Sequence, residues 1–212
     1  MANVPSETDA PGPTAAPHTL LRRALALLTA TAAYNLIEAG VAVYAGIEAG
    51  SIALVGFGLD SAIELAAALM VLWRFRVQWR GGSVEAVERA EERVHRFVGL
   101  TFFLLAAYVL VESGRRLWLQ VIAEESTLGI VLAVASLIIM PVIAFWKLRL
   151  ARRLDSRSLA AEARETLACS YLSFTLLLGL VANAWLGWWW ADPAAALLMV
   201  PWLIHEGREA FE

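Results

Sequence analysis

The chain is built from long apolar runs separated by short polar connections. After Thr19, six runs of roughly 20 or more residues follow one another, at about 20–46, 51–74, 95–118, 127–148, 157–186 and 188–206. Helices of that length cross a hydrocarbon core of about 30 Å, whereas open strands cannot satisfy their backbone groups in lipid. The pattern therefore predicts an all-α membrane protein with six transmembrane helices.

Residues 1–18 differ from the rest of the chain because they are rich in Pro, Ala, Ser and Thr. They contain no basic segment followed by an apolar stretch, so they do not resemble a signal peptide. We predict that they form a disordered cytoplasmic tail. Residues 19–212 are then expected to form a single transmembrane domain of six helices.

Composition agrees with a lipid environment and excludes several classes of function. Hydrophobic residues make up 59% of the chain and charged residues only 17%, which is outside the range of ordinary soluble domains. The net charge of −3 gives no basic surface for a nucleic acid. Because Cys169 is the one cysteine, it can form neither an internal disulfide nor a CxxC metal site.

Positive charges are distributed unevenly between the two sides of the predicted membrane domain. The 74–96 and 147–157 connections, the latter including Lys147, are rich in Lys and Arg, whereas Arg115 and Arg116 are the basic residues of the other side. Short loops that retain Lys and Arg lie in the cytoplasm. We therefore expect a multi-pass protein of a bacterial cytoplasmic membrane with both termini in the cytoplasm. Its outer connections are expected at 47–50, 119–126 and 187–192.

Three polar residues near the helix ends are interpreted as structural. Glu112 is followed by arginines three and four residues later, which predicts an ion pair on one helix face. Asp192 precedes a proline and is expected to cap the sixth helix, and Asn183 is expected to form an interhelical hydrogen bond. The loop 77–95 breaks at Gly81 and Gly82 and then carries Glu and Arg at helical spacing, so it is expected to cap the third helix or extend it into the cytoplasm.

Acidic side chains deep in a bilayer are functional candidates, since each is unfavourable by several kcal/mol unless it is paired or hydrated. The second run contains Asp60 and Glu64, and the fifth contains Glu165 and Cys169. Both pairs are separated by four residues, so the members of each pair lie on one helical face. The sequence thus places two pairs of potential ligands at similar depth.

These two pairs occur in a shared register. The segments SIALVGFGLDSAIE (51–64) and SRSLAAEARETLAC (156–169) both start with a serine and carry their pair nine and thirteen residues later. Those offsets correspond to a depth of about 13–20 Å, near the bilayer midplane. The segments run in opposite directions, as in an inverted 3+3 repeat with a transport site between its halves. Small residues are expected to bring the second and fifth helices close together: Gly56, Gly58, Ala62, Ala161, Ala163 and Ala168.

A divalent cation is the simplest partner for three carboxylates and a thiol at one depth, because the unneutralised acids would otherwise repel one another. Protons and metal would compete for the same groups, and that competition is a mechanism for antiport. Four ligands including a thiolate permit tetrahedral Zn²⁺. The absence of imidazole from this set leaves Mn²⁺, Fe²⁺, Co²⁺ and Cd²⁺ open.

Three further polar residues are candidates for an additional metal or proton site. Asn35 and Glu38 lie in the first run, with Glu38 about 12 Å from the outer boundary. Glu38 is interpreted as an extra ligand, as a proton carrier, or as a carboxylate hydrogen-bonded to a neighbouring helix. Glu162 lies three residues before Glu165. It either faces the same cavity from the cytoplasmic side or pairs with an arginine between the fourth and fifth helices.

In these motifs the chain resembles the transmembrane domain of the cation diffusion facilitator family, whose members are proton-coupled exporters of Zn²⁺ and similar ions. The family's second helix has a serine, then small and apolar residues, then a His or Asp and an Asp four later. Asp60 and Glu64 stand at those ligand positions. The fifth-helix pattern, Ser-x-Ala-Leu-x-Ala-Asp-Ala-x-His-x-x-x-Asp, is followed with Glu165 in place of His and Cys169 in place of Asp.

The resemblance implies a six-helix bundle that binds metal through these four residues. The set of Asp, Glu, Glu and Cys departs from the usual mixture of His and Asp, so the metal preference is left open. The chain ends at Glu212, as in short members that lack the family's cytoplasmic metal-binding and dimerising domain. A homodimer is then expected to form through the membrane helices.

The leading hypothesis is an antiporter that exports a divalent transition-metal cation, with Zn²⁺ as first choice, in exchange for protons. The alternative is a non-transporting membrane scaffold or metal sensor whose interhelical carboxylates stay protonated. An enzyme is not expected, because the chain contains no HExxH or GxSxG motif and no catalytic His at membrane depth. No prosthetic group is expected either.

Overall fold

The computed structural model describes residues 18–79, 84–209 and 211. Within these ranges the regular elements are six α-helices: α1 (His18–Ala49), α2 (Ile52–Trp79), α3 (Val84–Leu119), α4 (Thr127–Leu154), α5 (Arg157–Leu186) and α6 (Ala191–Glu209). The predicted all-α, six-helix fold is confirmed. The predicted N-terminal tail lies outside the described residues, except for His18, which begins α1.

The helices pack as an antiparallel bundle. Helix α1 lies along α2 and α4 lies along α5, while α2 contacts α5 and α1 contacts α4. Helices α3 and α6 pack on each other and against α2 and α5, respectively. Since the start of α1 and the end of α6 lie at the same end of the bundle, we call it the termini end and the opposite one the distal end.

Two serines begin α2 and α5 in the same way. The Ser51 hydroxyl accepts a hydrogen bond from the Leu54 amide (3.0 Å), and the Ser156 hydroxyl accepts one from the Leu159 amide (3.4 Å). Both are N-cap bonds that satisfy an amide in the first turn of the helix. The two residues that correspond in the sequence register therefore have the same local role at opposite ends of the bundle.

Four of the described helices are long and apolar enough to cross a membrane: α1, α2, α4 and α5. Helix α3 is less apolar overall because it begins at Val84 and carries the charged stretch that was expected to extend it. Helix α6 is the shortest, with 19 residues, and has charged side chains at both ends. These two helices complete the bundle by packing on each other and against α2 and α5.

Two small residues of α2, Gly56 and Gly58, do not serve the contact for which they were predicted. A Cβ atom at Gly58 would lie 2.9 Å from the backbone nitrogen of Val43 in α1. A Cβ atom at Gly56 would lie 3.4 Å from the side chain of Val109 in α3. For these two glycines the expected role between α2 and α5 was wrong, because the close neighbours of α2 at these positions are α1 and α3.

Lys147 was wrongly placed in a cytoplasmic connection. Helix α4 continues to Leu154, so the α4–α5 connection consists of Asp155 and Ser156 alone. Lys147 thus lies about two helical turns before the end of α4, and its side chain is fully buried. The residue is an internal charge of the bundle and not part of the basic surface.

Asp192 caps a different helix from the one predicted. It lies in the first turn of α6, and its carboxylate accepts hydrogen bonds from the Ile52 amide (2.9 Å) and the Ser51 hydroxyl. These bonds satisfy the start of α2, so Asp192 caps α2. Asp192 is not the N-cap residue of α6, because α6 already begins at Ala191. The expected cap of α6 was therefore wrong.

The other structural expectations at the distal end are settled by their hydrogen bonds. Asn183 donates a hydrogen bond to the carbonyl oxygen of Ala123 (2.9 Å), which lies in the α3–α4 connection. The predicted interhelical hydrogen bond was therefore wrong, since the partner lies in a connection and not in a helix. The Glu112 ion pairs are confirmed, with contacts to Arg115 (2.5 Å) and Arg116 (3.2 Å). Both features stabilise the distal end and lie away from the buried acids.

Candidate functional site

The acidic residues of α2 and α5 meet inside the bundle. Asp60 and Glu64 are 5% and 3% exposed, respectively, and Glu162 is 2% exposed. Glu165 is partly buried and interacts electrostatically with Glu162 and Glu64. We call Asp60, Glu64, Glu162 and Glu165 the acid cluster. Asp60 also interacts electrostatically with Glu64. Glu64 is therefore a neighbour of both Asp60 in α2 and Glu165 in α5.

Cys169 lies beside the acid cluster on the Asp60 side. Its side chain is fully buried, and its electrostatic neighbours are Glu64, Asp60 and Glu38. The contact between α2 and α5 thus brings the four predicted ligands into one region. Nowhere in the described ranges do three His, Cys, Asp or Glu side chains converge in a geometry that could hold a metal ion.

A lysine that the sequence analysis misplaced contacts the acid cluster. The Nζ atom of Lys147 lies 2.5 Å from Glu162 Oε1 and 3.7 Å from Glu64 Oε1. Glu162 therefore pairs with Lys147 of α4 and not with an arginine of the α4–α5 connection, which was one of the two predicted alternatives. Removal of one partner of such a buried ion pair strongly destabilises the fold.

Thr166 links this pair to Glu64. Its hydroxyl accepts a hydrogen bond from Lys147 Nζ (2.7 Å) and donates one to Glu64 Oε1. Thr166, which lies one residue after Glu165, was not predicted as a site residue. The ammonium, the hydroxyl and the two carboxylates form a single connected network between α2, α4 and α5.

The network does not satisfy every carboxylate oxygen. Among the described residues, the buried Oε2 atoms of Glu64, Glu162 and Glu165 have no hydrogen-bond partner. A buried oxygen of an ionised carboxylate without a partner is unfavourable by several kcal/mol. The acid cluster consequently has unused capacity to bind a cation or protons.

Glu38 lies in a different environment, which we call the Glu38 pocket and define as Tyr34, Glu38, Ser61 and Ser136. Glu38 is 1% exposed. Its Oε2 accepts a hydrogen bond from the Ser61 hydroxyl (2.9 Å), and its Oε1 accepts one from the Ser136 hydroxyl. The Tyr34 hydroxyl lies 2.8 Å from that of Ser136. Both carboxylate oxygens thus have hydroxyl donors from α2 and α4.

Asn35, the third additional candidate, makes no side-chain hydrogen bond to Tyr34, Glu38, Ser61 or Ser136 in the described structure. Its side chain is fully buried. Neither its amide nitrogen nor its amide oxygen has a hydrogen-bond partner in the described parts of the chain. The structure therefore shows a buried polar group in α1 and assigns it no ligand.

The sequence carries a signal that locates Lys147 correctly. Asp155 and Ser156 are a turn residue and an N-cap residue, respectively, directly before α5. Connections between neighbouring antiparallel helices are usually short, so this cap implies that α4 runs almost to Asp155. Lys147 then falls inside the helix, where a charged residue needs a partner.

Comparison with known proteins identifies the family. The model of the cation efflux transmembrane domain matches residues 28–211. The uncharacterized transporter sll1263 of Synechocystis is 26% identical over 180 residues, which cover 84% of this chain and 57% of the relative. The cation-efflux pump FieF of Shewanella oneidensis is 28% identical over 116 residues, which cover 55% of this chain and 36% of the relative.

The matched region includes most of α1 and all of α2 to α6. The chain spans less than two thirds of the length of these two relatives. Both relatives are named as a transporter or a pump, and the matching domain is one of cation efflux. The chain therefore belongs to the cation efflux family, whose members are membrane transporters and not enzymes.

Proposed function

We propose that this protein exports a divalent transition-metal cation from the cytoplasm in exchange for protons, with Zn²⁺ as first choice. The observation that carries the proposal is the set of buried, unpartnered carboxylate oxygens on Glu64, Glu162 and Glu165 in the described structure. Such oxygens are stabilised by a cation or by a proton, and the two alternatives exclude each other at one oxygen. A site with this property exchanges one for the other.

The metal ligands are Asp60, Glu64, Glu165 and Cys169. This assignment is supported by the burial of Asp60, Glu64 and Cys169, by the partial burial of Glu165, and by the proximity of Cys169 to Asp60 and Glu64. A thiolate with carboxylates suits Zn²⁺, while Mn²⁺, Fe²⁺, Co²⁺ and Cd²⁺ are the other candidates. Because the four side chains do not converge in this structure, binding requires their rotamers to change.

The proposal also includes the orientation and the assembly of the protein. Both termini lie in the cytoplasm of a bacterial cell, as the distribution of Lys and Arg favours, with residues 1–18 as a disordered tail. The protein forms a homodimer through its membrane helices. The name of one relative, cation-efflux pump FieF, supports the direction of transport.

A second candidate function is a membrane scaffold or metal sensor that does not transport. It is favoured by the Glu38 pocket, where a buried acid is fully hydrogen-bonded, and by Lys147, which already pairs with Glu162. Under this hypothesis the remaining acids stay protonated and hold the helices together. Metal flux distinguishes it from the antiporter.

The test is metal uptake into proteoliposomes with an acidic interior. Zn²⁺, Mn²⁺, Fe²⁺, Co²⁺ and Cd²⁺ are offered outside, and an enclosed metal-sensitive dye reports entry of each ion. We expect uptake of one of them to depend on the pH gradient and to disappear in Glu64→Gln. Glu112→Gln is the matched control, since Glu112 forms ion pairs at the distal end, away from the acid cluster.

Each outcome has a defined meaning. Gradient-dependent flux that is retained in Glu112→Gln and lost in Glu64→Gln supports antiport through the acid cluster. Absence of flux for every metal, with folded wild-type protein in the vesicles, contradicts the transporter and favours the scaffold. Flux that survives in folded Glu64→Gln would move the site away from the acid cluster.

A further inference from the structure

The further inference concerns Lys147 and rests on the proposed function. We propose that the Lys147 ammonium is a tethered cation that competes with the transported metal for Glu64. Its presence limits how tightly the acid cluster holds the metal, and Glu162 is the residue that keeps Lys147 paired when metal binds. This role makes Lys147 a determinant of metal affinity although it is not itself a ligand.

The distances show an unequal sharing of Lys147 between two acids. Its Nζ atom lies 2.5 Å from Glu162 Oε1, which is hydrogen-bonding distance, and 3.7 Å from Glu64 Oε1. The contact with Glu64 is therefore electrostatic and is bridged by the Thr166 hydroxyl. Glu64 can be released to a metal while Lys147 keeps its direct bond to Glu162.

The position of Lys147 makes this competition unavoidable. The side chain is fully buried, so the ammonium has no access to water into which it could withdraw. A metal bound to Glu64 would lie a few ångströms from Nζ, because Nζ is already 3.7 Å from one of the Glu64 oxygens. The two positive charges repel, and the repulsion is strong in a medium of low dielectric constant.

The flexible stem of lysine permits the required movement. Its four-carbon chain carries a compact point charge with three rotatable donors, and two of its present partners, Glu162 and Thr166, belong to α5. A small rotation toward Glu162 keeps the ammonium paired and frees Glu64. The unpartnered Oε2 of Glu162 is available as an additional acceptor after that rotation.

The consequence for transport is a site that can release its metal. Three carboxylates and a thiolate would hold a divalent cation tightly, whereas export requires dissociation on the far side of the membrane. A tethered positive charge beside Glu64 opposes metal binding, and the ammonium rotates back toward Glu64 once the metal leaves. Lys147 and Glu162 are then expected to change metal affinity in opposite directions when each is replaced.

The experiment measures Zn²⁺ binding to the purified full chain by isothermal titration calorimetry in detergent, at one fixed pH. We expect Lys147→Met to bind Zn²⁺ about tenfold more tightly than the wild type, or better. Even with the dielectric constant of bulk water, a divalent and a monovalent charge about 6 Å apart repel enough to change affinity about tenfold. Lys147→Arg keeps the charge and is expected to stay within about threefold of the wild type.

Glu162→Gln is the opposing variant. Without the Glu162 charge, Lys147 moves to Glu64, and Zn²⁺ binding is expected to weaken by about tenfold or more. If Lys147 were only structural, the two variants would not change Zn²⁺ affinity in opposite directions. Loss of either partner of a structural ion pair lowers stability in both cases. Thermal unfolding of each variant, followed in the same detergent, separates a change in stability from a change in affinity.

The outcomes distinguish this inference from the proposed function. If the wild type binds Zn²⁺ and folded Lys147→Met binds it equally or more weakly, Lys147 is not a competing cation and only this inference fails. If the folded wild type binds no Zn²⁺ and carries no metal flux, the proposed function fails as well. If Lys147→Met does not fold, Lys147→Gln tests the same increase in Zn²⁺ affinity. The inference still requires Glu162→Gln to bind Zn²⁺ more weakly than the wild type.

Discussion

The Glu38 pocket and the acid cluster contain the same chemical group in two different environments. In the Glu38 pocket, one carboxylate receives a serine hydroxyl on each oxygen. In the acid cluster, three carboxylates each keep one buried oxygen without a partner among the described residues. Burial alone therefore does not mark a binding site in this protein, and the supply of donors separates the two regions.

This difference favours one of the interpretations that the sequence left open for Glu38. A metal at Glu38 would have to displace the hydroxyls of Ser61 or Ser136, whereas a metal at Glu64 finds an oxygen without a donor. Neutral hydroxyl donors also stabilise a buried carboxylate without bringing a net charge. These hydrogen bonds favour interhelical hydrogen bonding between α1, α2 and α4 as the role of Glu38, and the proposed transport site stays with the acid cluster.

The largest expected effect is on metal flux in Glu64→Gln compared with Glu38→Gln. Loss of residues that only support metal ligands typically reduces affinity or activity about 10- to 100-fold, so removal of the Glu64 charge should reduce flux about 100-fold or more. Glu38→Gln should stay within about threefold of the wild type, because serine hydroxyls can donate to an amide oxygen and accept from its nitrogen. The proteoliposome assay measures both variants. Loss of flux in folded Glu38→Gln would remove the distinction between the two regions.

The second effect is on stability and concerns the one ion pair of the network that is in direct contact. Glu162→Ala leaves the Lys147 ammonium buried beside Glu64 alone and should reduce the free energy of unfolding by about 3–5 kcal/mol. The double variant Lys147→Met with Glu162→Ala removes both charges and should recover much of that loss. Denaturant unfolding in mixed micelles measures the three proteins. Equal destabilisation in the single and double variants would show that the pair is not what stabilises the network.

The smallest effect is expected in the Glu38 pocket. Ser136→Ala removes the donor to Glu38 Oε1 and the partner of the Tyr34 hydroxyl, and should reduce the free energy of unfolding by about 1–3 kcal/mol. Ser173→Ala is the matched control, since the buried Ser173 hydroxyl donates to the carbonyl of Cys169 in its own helix (2.7 Å). The control should change stability by less than about 1 kcal/mol. Similar losses in the two variants would mean that hydroxyl donors do not define the Glu38 pocket.

Much of the fold could be predicted because its signals are local. Apolar runs of membrane length gave the number of helices, and the paired offsets after Ser51 and Ser156 gave two helix starts that are capped in the same way. The spacing of four residues within each pair of predicted ligands was enough to place both members of the pair on one helical face. None of these inferences requires knowledge of how the helices are rotated relative to one another.

The rest could not be predicted, since it depends on which faces of the helices meet. Helices α1, α2, α4 and α5 are apolar over long stretches, and an apolar helix in lipid gives no strong signal for the direction it faces. For this reason Gly58 was assigned to the wrong neighbour, and the cap formed by Asp192 was assigned to the wrong helix. Lys147 was missed for a different reason, because a lysine close to a run of arginines was counted with the surface charges.

The cap that Asp192 provides also limits how the bundle can move. Asp192 of α6 holds the first residues of α2 through Ser51 and Ile52, and Arg116 of α3 donates to the carbonyl oxygen of Gly50. Hydrogen bonds to charged groups are worth about 1.5–3 kcal/mol each, so separating these three helices at the distal end is opposed by several such bonds. Relative movement of α2, α3 and α6 is therefore expected to be smallest at the distal end, where any alternating exposure of the proposed site would leave the three helices together.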